Sequence, residues 1–325
     1  MASTVGSARG DTSGHVMKRS DRKLMARVGR EHYIEGLSNT EIGEQLGISR
    51  FKVARLLERA LEEGIVKIQV VETGLPNGEM GAKLAEHLGL ARCIVVRAEG
   101  DEAEVRRQVG AEAAELLSDT LVEGEILGVS WGQTLTDTTS QVESLPPLTI
   151  VQLTGFLSDD LQTSPIEVAQ GVAAHSGGRV FPLFVPLYVQ DEDMAARLRE
   201  HPDLKRVMAL YPRVTTALLS VGGWNPPNTQ VREVLPANMR EEAVRLGCVA
   251  DVAGIMVGEN GRPIDPSFEN RTLGISYKEL VAVPRVVAVA AGAGKAEAIA
   301  AVAKGGVITE LVVDDALAEE LLGKF

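Results

Sequence analysis

The chain has 325 residues, 45% of them apolar and 24% charged, with a formal net charge of −12. This is the profile of a soluble protein long enough for two domains. Two cysteines, Cys93 and Cys248, and five scattered histidines argue against a disulfide framework and against a His- or Cys-based metal centre, so no metal and no cofactor are expected.

Residues 1–17 are rich in Ser, Gly and Thr, lack the apolar core of a signal peptide, and read as a disordered tail. The longest apolar stretch near the C-terminus, Val286 to Gly294, is cut by Lys295, well short of the roughly 20 residues of a membrane span. A cytoplasmic protein with no membrane partner is the expectation. Residues 18–67 carry 11 Lys+Arg and 8 Asp+Glu, a net of +3 that leaves −15 for the rest. A basic head on an acidic body suits a module that touches phosphates joined to one that does not.

In chain order, Asp21 to Gly36 predicts a helix, with Leu24, Val28, Tyr33 and Ile34 as its apolar positions and Gly36 as C-cap. Asn39 or Thr40 is the expected cap of a second helix carrying Ile42 and Leu46. Gly47-Ile48 makes a turn, and Ser49 caps a third helix that runs to about Glu63. Ile65 to Val71 then alternates like a strand or wing. A short helix, a Gly-containing turn and a second helix is the spacing that lays one helix across a DNA backbone and the next in the major groove.

Val53, Leu56, Leu57 and Ala60 are the predicted buried stripe of the third helix. The opposite side presents Phe51, Arg55 and Arg59, flanked by Arg50 and Lys52. Arginine reads guanine edges and lysine holds phosphate. A solvated basic helix without a DNA role is the plainer reading, but the spacing, turn glycine, serine cap and basic outer face together favour double-stranded operator DNA as partner. Phe51 either touches a thymine methyl or packs on a neighbouring helix. The candidate DNA contacts are Thr40, Ser49, Arg50, Phe51, Lys52, Arg55 and Arg59, in a winged helix-turn-helix domain over 18–72.

From 73 to 325 the pattern changes. Strands are predicted at Cys93–Arg97, Ile126–Val129, Thr149–Leu153, Val180–Val185, Ala217–Val221, Val286–Ala290 and Val307–Val313. Helices are predicted at Glu102–Ser118, Glu167–Ala174, Asp191–Glu200, Arg232–Leu246 and Ala296–Lys304. This alternation predicts a doubly wound, mostly parallel α/β domain that binds ligands at the carboxyl ends of its strands.

Two strand-to-helix junctions carry ligand-binding chemistry. Gly128-Val-Ser-Trp-Gly-Gln-Thr-Leu135 offers Ser130, Gly132, Gln133 and Thr134 at a helix start. Ala291-Gly-Ala-Gly-Lys-Ala296 offers the backbone amides of Gly292–Gly294 and the ammonium of Lys295, a combination suited to phosphate. It is neither a Walker A loop, since Ala296 replaces the hydroxyl residue, nor a GxGxxG loop. Each junction alone is an ordinary tight turn; two in one sheet favour a pocket.

The run Leu37-Ser-Asn-Thr-Glu-Ile-Gly-Glu-Gln-Leu-Gly-Ile-Ser-Arg-Phe-Lys-Val-Ala-Arg-Leu-Leu57 with Glu63-Gly-Ile-Val66 resembles the start of SorC/DeoR-type bacterial sugar-responsive transcription regulators. Further markers agree in order: Gly128 to Leu135, Val151-Gln-Leu-Thr-Gly155, Gly247-Cys-Val-Ala-Asp251, Arg271-Thr-Leu-Gly-Ile275, Gly292-Ala-Gly-Lys-Ala-Glu-Ala-Ile299 and Leu311-Val-Val-Asp-Asp315. The resemblance implies an effector domain related in fold to sugar-phosphate isomerases and deaminases. It also implies that the Ser130–Thr134 loop and Lys295 hold a phosphate, with Asp251, Thr154 and Gly155 near sugar hydroxyls. Phe156 and Ala250 stand where the family commonly has glycine, Ala293 stands where a Gly-rich stretch with larger polar residues is frequent, and Trp131 and Trp224 narrow the site. The expected effector is a sugar, sugar phosphate or polyol.

The rival expectation is an isomerase or deaminase with an appended DNA-binding domain. The related enzymes place a base after the strand that follows the first loop; here Val151-Gln-Leu-Thr-Gly-Phe-Leu157 has no acid before Asp159. Asp137, Asp251 and Glu269 read as hydroxyl-binding or capping residues. No lysine lies between Lys83 and Lys205, which leaves Lys295 for any Schiff base. A non-enzymatic regulator, a repressor acting as homodimer or homotetramer, is the expectation, because a single helix-turn-helix reads too little DNA.

Overall fold

The computed structural model describes residues 19–66, 76–157 and 164–324. The chain divides into two compact units, Met1–Glu72 and Thr73–Phe325. The predicted tail, most of the predicted wing (67–71) and Asp159 lie outside the described residues.

Among its described residues the first unit has three helices, α1 (Arg19–Tyr33), α2 (Asn39–Leu46) and α3 (Arg50–Glu62). Met25, Val28, Ile42, Val53, Leu56, Leu57 and Ala60 form its core, so the predicted stripe of α3 is the buried one. Helix α1 differs from expectation at its end. It stops at Tyr33, and Gly36 turns the chain in the left-handed region at φ +71°. Ile34 is therefore 79% exposed rather than buried, and Met25 fills the core position.

The cap of α2 is Ser38, not Asn39 or Thr40. Its hydroxyl accepts from the amide of Glu41, whose carboxylate accepts from the amide of Ser38, a reciprocal capping box. Leu37 and Ile42 flank the cap in the same core cluster. Gly43 is required by close approach, since a Cβ there would lie 2.7 Å from the carbonyl of Ile48. Ser49 caps α3 as expected.

The second unit begins with α4 (Gly78–Leu88), β1 (Arg92–Val96), α5 (Glu102–Thr120), β2 (Ile126–Val129), α6 (Gln133–Ser140), β3 (Thr149–Gln152), α7 (Pro165–Ser176) and β4 (Arg179–Phe181). It continues with α8 (Glu192–Arg199), α9 (Pro202–Met208), β5 (Thr216–Leu219), β6 (Val221–Gly223), α10 (Gln230–Val234), α11 (Ala237–Arg245), β7 (Ala250–Val252) and β8 (Ile255–Val257). It ends with α12 (Pro266–Asn270), α13 (Tyr277–Val281), β9 (Arg285–Ala290), α14 (Ala296–Lys304), β10 (Glu310–Asp314) and α15 (Asp315–Lys324).

All seven predicted strand regions enter one parallel sheet, in the order β1-β10-β9-β5-β2-β3-β4. Alternate residues bury on opposite faces, which is why the strands are almost continuously apolar. Leu127, Val129, Ile150, Leu218, Val287 and Val289 pack with Val109, Leu117 and Val168 of α5 and α7. Val151, Ala217, Leu219, Val286, Ala288 and Val313 pack in the other cluster with Ile299, Val302 and Leu317 of α14 and α15.

Boundaries differ where proline or a polar residue intervenes. Strand β4 stops before Pro182, which cannot donate to a ladder. The predicted helix Arg232–Leu246 is two helices, interrupted at Leu235-Pro236. The predicted strand Ala217–Val221 divides at Ser220, its first part joining the large sheet and Val221 opening a small antiparallel sheet, β6-β7-β8. That sheet was not anticipated; its strands have three residues each, too short to show a period.

From β2 the chain moves outward through β3 and β4, and from β5 it moves the opposite way through β9 and β10. The carboxyl ends of β2 and β5 thus flank the point where strand order reverses, where open α/β sheets leave a crevice. Among the described residues no helix is long and apolar enough to cross a membrane, and no three His, Cys, Asp or Glu are grouped to hold a metal ion. Burial pushes the Cys93 thiol up to about 12 and raises that of Cys248 as well, so both stay protonated.

Candidate functional site

In the first unit, Arg50, Phe51, Lys52, Arg55 and Arg59 are exposed on the side of α3 opposite its core stripe, and Thr40 is exposed on α2. They do not contribute equally. Arg59 pairs with Glu63 at 2.9 Å at the far end of the helix. The Ser49 hydroxyl accepts from the amide of Lys52 as a cap. Phe51 is 67% exposed and lies outside the core cluster, so it does not pack on a neighbouring helix; the Arg50 guanidinium sits 4.9 Å from its ring centre. Arg50, Lys52 and Arg55 are free of ion pairs among the described residues.

In the second unit, the candidate effector residues gather at the reversal of strand order. Ser130 follows β2; its amide donates to the carbonyl of Leu218 in β5 at 3.3 Å. Its hydroxyl is 1% exposed and has no hydrogen-bond partner. The Ser220 hydroxyl, after β5, donates to the carbonyl of Trp131 at 2.5 Å and ties the two strand ends together. Gly132 has φ +139°, and a Cβ on it would meet Ser220 Oγ at 2.5 Å, so only glycine fits. It opens α6 without a side-chain cap. Thr134 is buried behind it, whereas Gln133 is exposed.

After β3, Thr154 is fully buried and its hydroxyl also lacks a partner. Two unsatisfied hydroxyls at the ends of adjacent strands are the chemistry expected of a site awaiting a polar ligand. Gly155 has a packing role instead: its amide donates to the carbonyl of Leu273, and a Cβ would meet the carbonyl of Val185 at 2.6 Å.

Asp251, in the middle of β7, is 4% exposed. Its Oδ1 accepts from Trp224 Nε1 at 3.0 Å. Burial raises its pKa to about 6, opposed by hydrogen bonds from Thr229 and Trp224 and by the charge of Lys295. Lys295, partly buried after β9, is pulled below the ordinary lysine pKa by desolvation, against the carboxylates of Asp251, Glu102 and Asp314 and together with the repulsion of Arg106.

One expectation about the second junction is corrected. The amide of Gly292 is not available to a phosphate, because it donates to Asp314 Oδ1 at 2.6 Å. Asp314 is buried at the end of β10, adjacent to β9 in the sheet, and its other oxygen accepts from the amide of Leu317. Ala293–Lys295 is one turn of 3-10 helix, and Gly294 is exposed close to Pro226.

Ser220, Thr229, Asp314, Arg106 and Glu102 went unrecognised as neighbours of the site. Each is ordinary in sequence, and only strand order brings it there. Asp137 pairs with Arg106 at 2.5 Å, and Glu269 accepts from the amide of Tyr277, so both carboxylates have structural partners. A groove of about 680 Å³ lined by Tyr211, Glu269, Thr272, Gly274, Ser276 and Glu279 contains none of the candidate effector residues. Its polar rim is already bonded: Arg199 donates to the carbonyls of Glu269, Asn270 and Thr272, and Glu279 caps α13.

Residues 77–323 match the Sugar-bind family, described as "Putative sugar-binding domain". The transcriptional regulator YjhU of Escherichia coli K12 is 28% identical over 301 residues, covering 90% of this chain and 92% of that protein. The transcriptional regulator LsrR of Enterobacter sp. strain 638 is 27% identical over 317 residues, covering 93% and 94%. The crystal structure of the full-length sorbitol operon regulator SorC from Klebsiella pneumoniae matches with a TM-score of 0.71 at 21% identity, over 93% of this chain and 99% of that one. A DeoR family transcriptional regulator from Listeria monocytogenes matches at a TM-score of 0.67 and 25% identity, over 75% and 98%.

Proposed function

The chain belongs to the Sugar-bind family, and from that membership we propose that it is a DNA-binding transcription regulator whose second unit binds a small carbohydrate effector. The observation that carries the reading is the division of labour on α3. One side closes a three-helix core, while Arg50, Lys52 and Arg55 stand exposed on the other, on a serine-capped helix after a tight turn. That arrangement supports docking of α3 in the major groove of operator DNA, with Arg55 reading a base and Arg50 and Lys52 holding phosphates.

The effector site is Ser130, Gly132, Thr134, Thr154, Asp251 and Lys295, supported by the unsatisfied hydroxyls of Ser130 and Thr154. Gly155, Gly292 and Gly294 shape its walls. An effector that binds one quaternary arrangement better than another shifts the protein toward it, and DNA affinity changes reciprocally. The working unit is a homodimer or homotetramer in the cytoplasm, because one recognition helix contacts too few bases for specificity. The regulator acts as a repressor released by its carbohydrate.

Catalysis is not part of this reading. Asp251 is held by Trp224 and Thr229, and the stretch from Leu153 to Leu157 brings no acid or base. The test is an anisotropy titration of the full chain with duplexes from the region upstream of its own gene, repeated with a carbohydrate panel. A sequence-specific complex dissociated by one carbohydrate, without turnover of it, is expected. Absence of specific DNA binding would refute the reading.

A further inference from the structure

We infer that Phe51 reads a base, its ring packing against the 5-methyl group of one thymine in each operator half-site; this rests on the DNA-binding reading above. At about 100° per residue, Phe51 lies roughly 170° from the mean direction of the buried stripe Val53, Leu56, Leu57 and Ala60. Arg55 lies about 40° to one side of it, and Arg50 and Lys52 lie about 100° away on either side. The ring therefore stands at the centre of the outer face, next to Arg55, with a cation on each flank.

The fold has no need of a phenyl ring there. Phe51 is 67% exposed and is not a member of the core cluster of the first unit. The Arg50 guanidinium, 4.9 Å from the ring centre, covers one face of it and holds it, while the remainder points outward. The first turn of α3 carries no acidic residue, so no carboxylate beside the ring repels a phosphate. Cations at the edges of this face suit the phosphates that border a groove, and an apolar ring at its centre suits the groove floor.

The floor of the major groove is lined with hydrogen-bonding groups, and thymine alone adds a methyl group to it. A phenyl ring has no polar atom with which to read donors and acceptors. Against any other base it would cover polar groups without satisfying them, which is costly. Recognition helices meet base edges through their N-terminal residues, and Phe51 is the second residue of α3. Arg55 follows four residues later, about 6 Å along the helix axis. With a rise of roughly 3.4 Å per base pair, the thymine lies within about two base pairs of the base that Arg55 reads.

The experiment is an anisotropy titration of the full chain with a duplex that it binds specifically, each thymine being replaced in turn by deoxyuridine. That replacement removes the 5-methyl group and keeps the pairing edge. Wild-type protein is expected to lose about fourfold in affinity at one thymine per half-site, the effect of one buried methyl group. Phe51→Ala should bind the unmodified duplex more weakly and should bind the duplexes with and without that methyl group equally. Phe51→Leu, which keeps an apolar side chain, should retain a smaller ratio, and Arg55→Ala should keep the full one. A wild-type scan in which no thymine matters, or a ratio undiminished in both Phe51 variants, overturns the inference while leaving the DNA-binding reading intact. A full chain that binds no duplex specifically overturns that reading and this inference with it.

Discussion

Trp224 Nε1 donates to Asp251 Oδ1 at 3.0 Å, a hydrogen bond between the end of β6 and the middle of β7 that is buried on both sides. The carboxylate is held at a cost: burial lifts its pKa to about 6. A raised carboxylate pKa stabilises the fold fully below the unfolded pKa near 4, and that contribution is lost as pH rises through 6. The isostere Asp251→Asn removes this cost but still accepts from Trp224. It should raise the stability of the ligand-free protein at pH 8 by about 1–3 kcal/mol, with the difference shrinking between pH 6 and 4. Effector binding should fall at the same time. Denaturant unfolding at three pH values checks this; an equal or lower midpoint at pH 8 would contradict it.

Lys295 opposes the burial of Asp251. Removing it as Lys295→Met should lift the Asp251 pKa further. Effector affinity should then fall at neutral pH and recover as pH rises toward 8.5, a profile absent from the wild type above pH 7. Trp224, Thr229, Tyr188 and Cys248 are the other groups around this carboxylate, and both Tyr188 and Cys248 stay protonated there. DNA binding without effector should not change. A pH-independent loss of effector affinity would mean that Lys295 contacts the effector itself.

Arg55 lies on the exposed side of α3 and has no ion pair among the described residues. Arg55→Ala should weaken specific DNA binding by about 1–3 kcal/mol while leaving non-specific binding nearly unchanged. Arg59→Ala should matter less, since Arg59 is already paired with Glu63. Competition titrations against an unrelated duplex separate the two effects. An unchanged operator affinity in Arg55→Ala would remove it from the base contacts.

Gly132 joins β2 to α6 in a conformation open only to glycine, against the Ser220 hydroxyl. Gly132→Ala should destabilise the second unit by about 2–4 kcal/mol, or displace Ser220 and abolish the effector response. The double variant with Ser220→Gly should recover part of the loss, because it removes the steric neighbour but not the backbone strain. Thermal unfolding and effector titration of both report this.

Ser38 and Glu41 close the capping box of α2. Ser38→Ala should cost about 1 kcal/mol, whereas Asn39→Ala and Thr40→Ala should cost less, because neither residue is the cap. Equal losses at all three positions would contradict the assignment.

Much of this was legible in the sequence. The seven strand regions are apolar because both faces of a parallel sheet are buried, so composition alone marked them. The α3 stripe of Val53, Leu56, Leu57 and Ala60 followed from a period of 3.6, and the basic face followed by exclusion. The capping box of α2 was also present as Ser38-Asn-Thr-Glu41, but Asn39 and Thr40 are competing cap residues, and the spacing to Glu41 had to decide between them. What remained hidden depended on strand order. Parallel strands are joined through crossovers, so neighbours in the sheet are distant in the chain: Ser220 meets Trp131, and Asp314 meets Gly292, only because β5 lies beside β2 and β10 beside β9. Residue order alone shows that 130–134 and 292–295 end strands and begin helices, and that glycine and lysine there suit an anion. Strand order, not local sequence, brings a buried carboxylate to the Gly292 amide and lets the charges of Asp251, Glu102 and Asp314 act on Lys295, because charges act through space rather than along the chain.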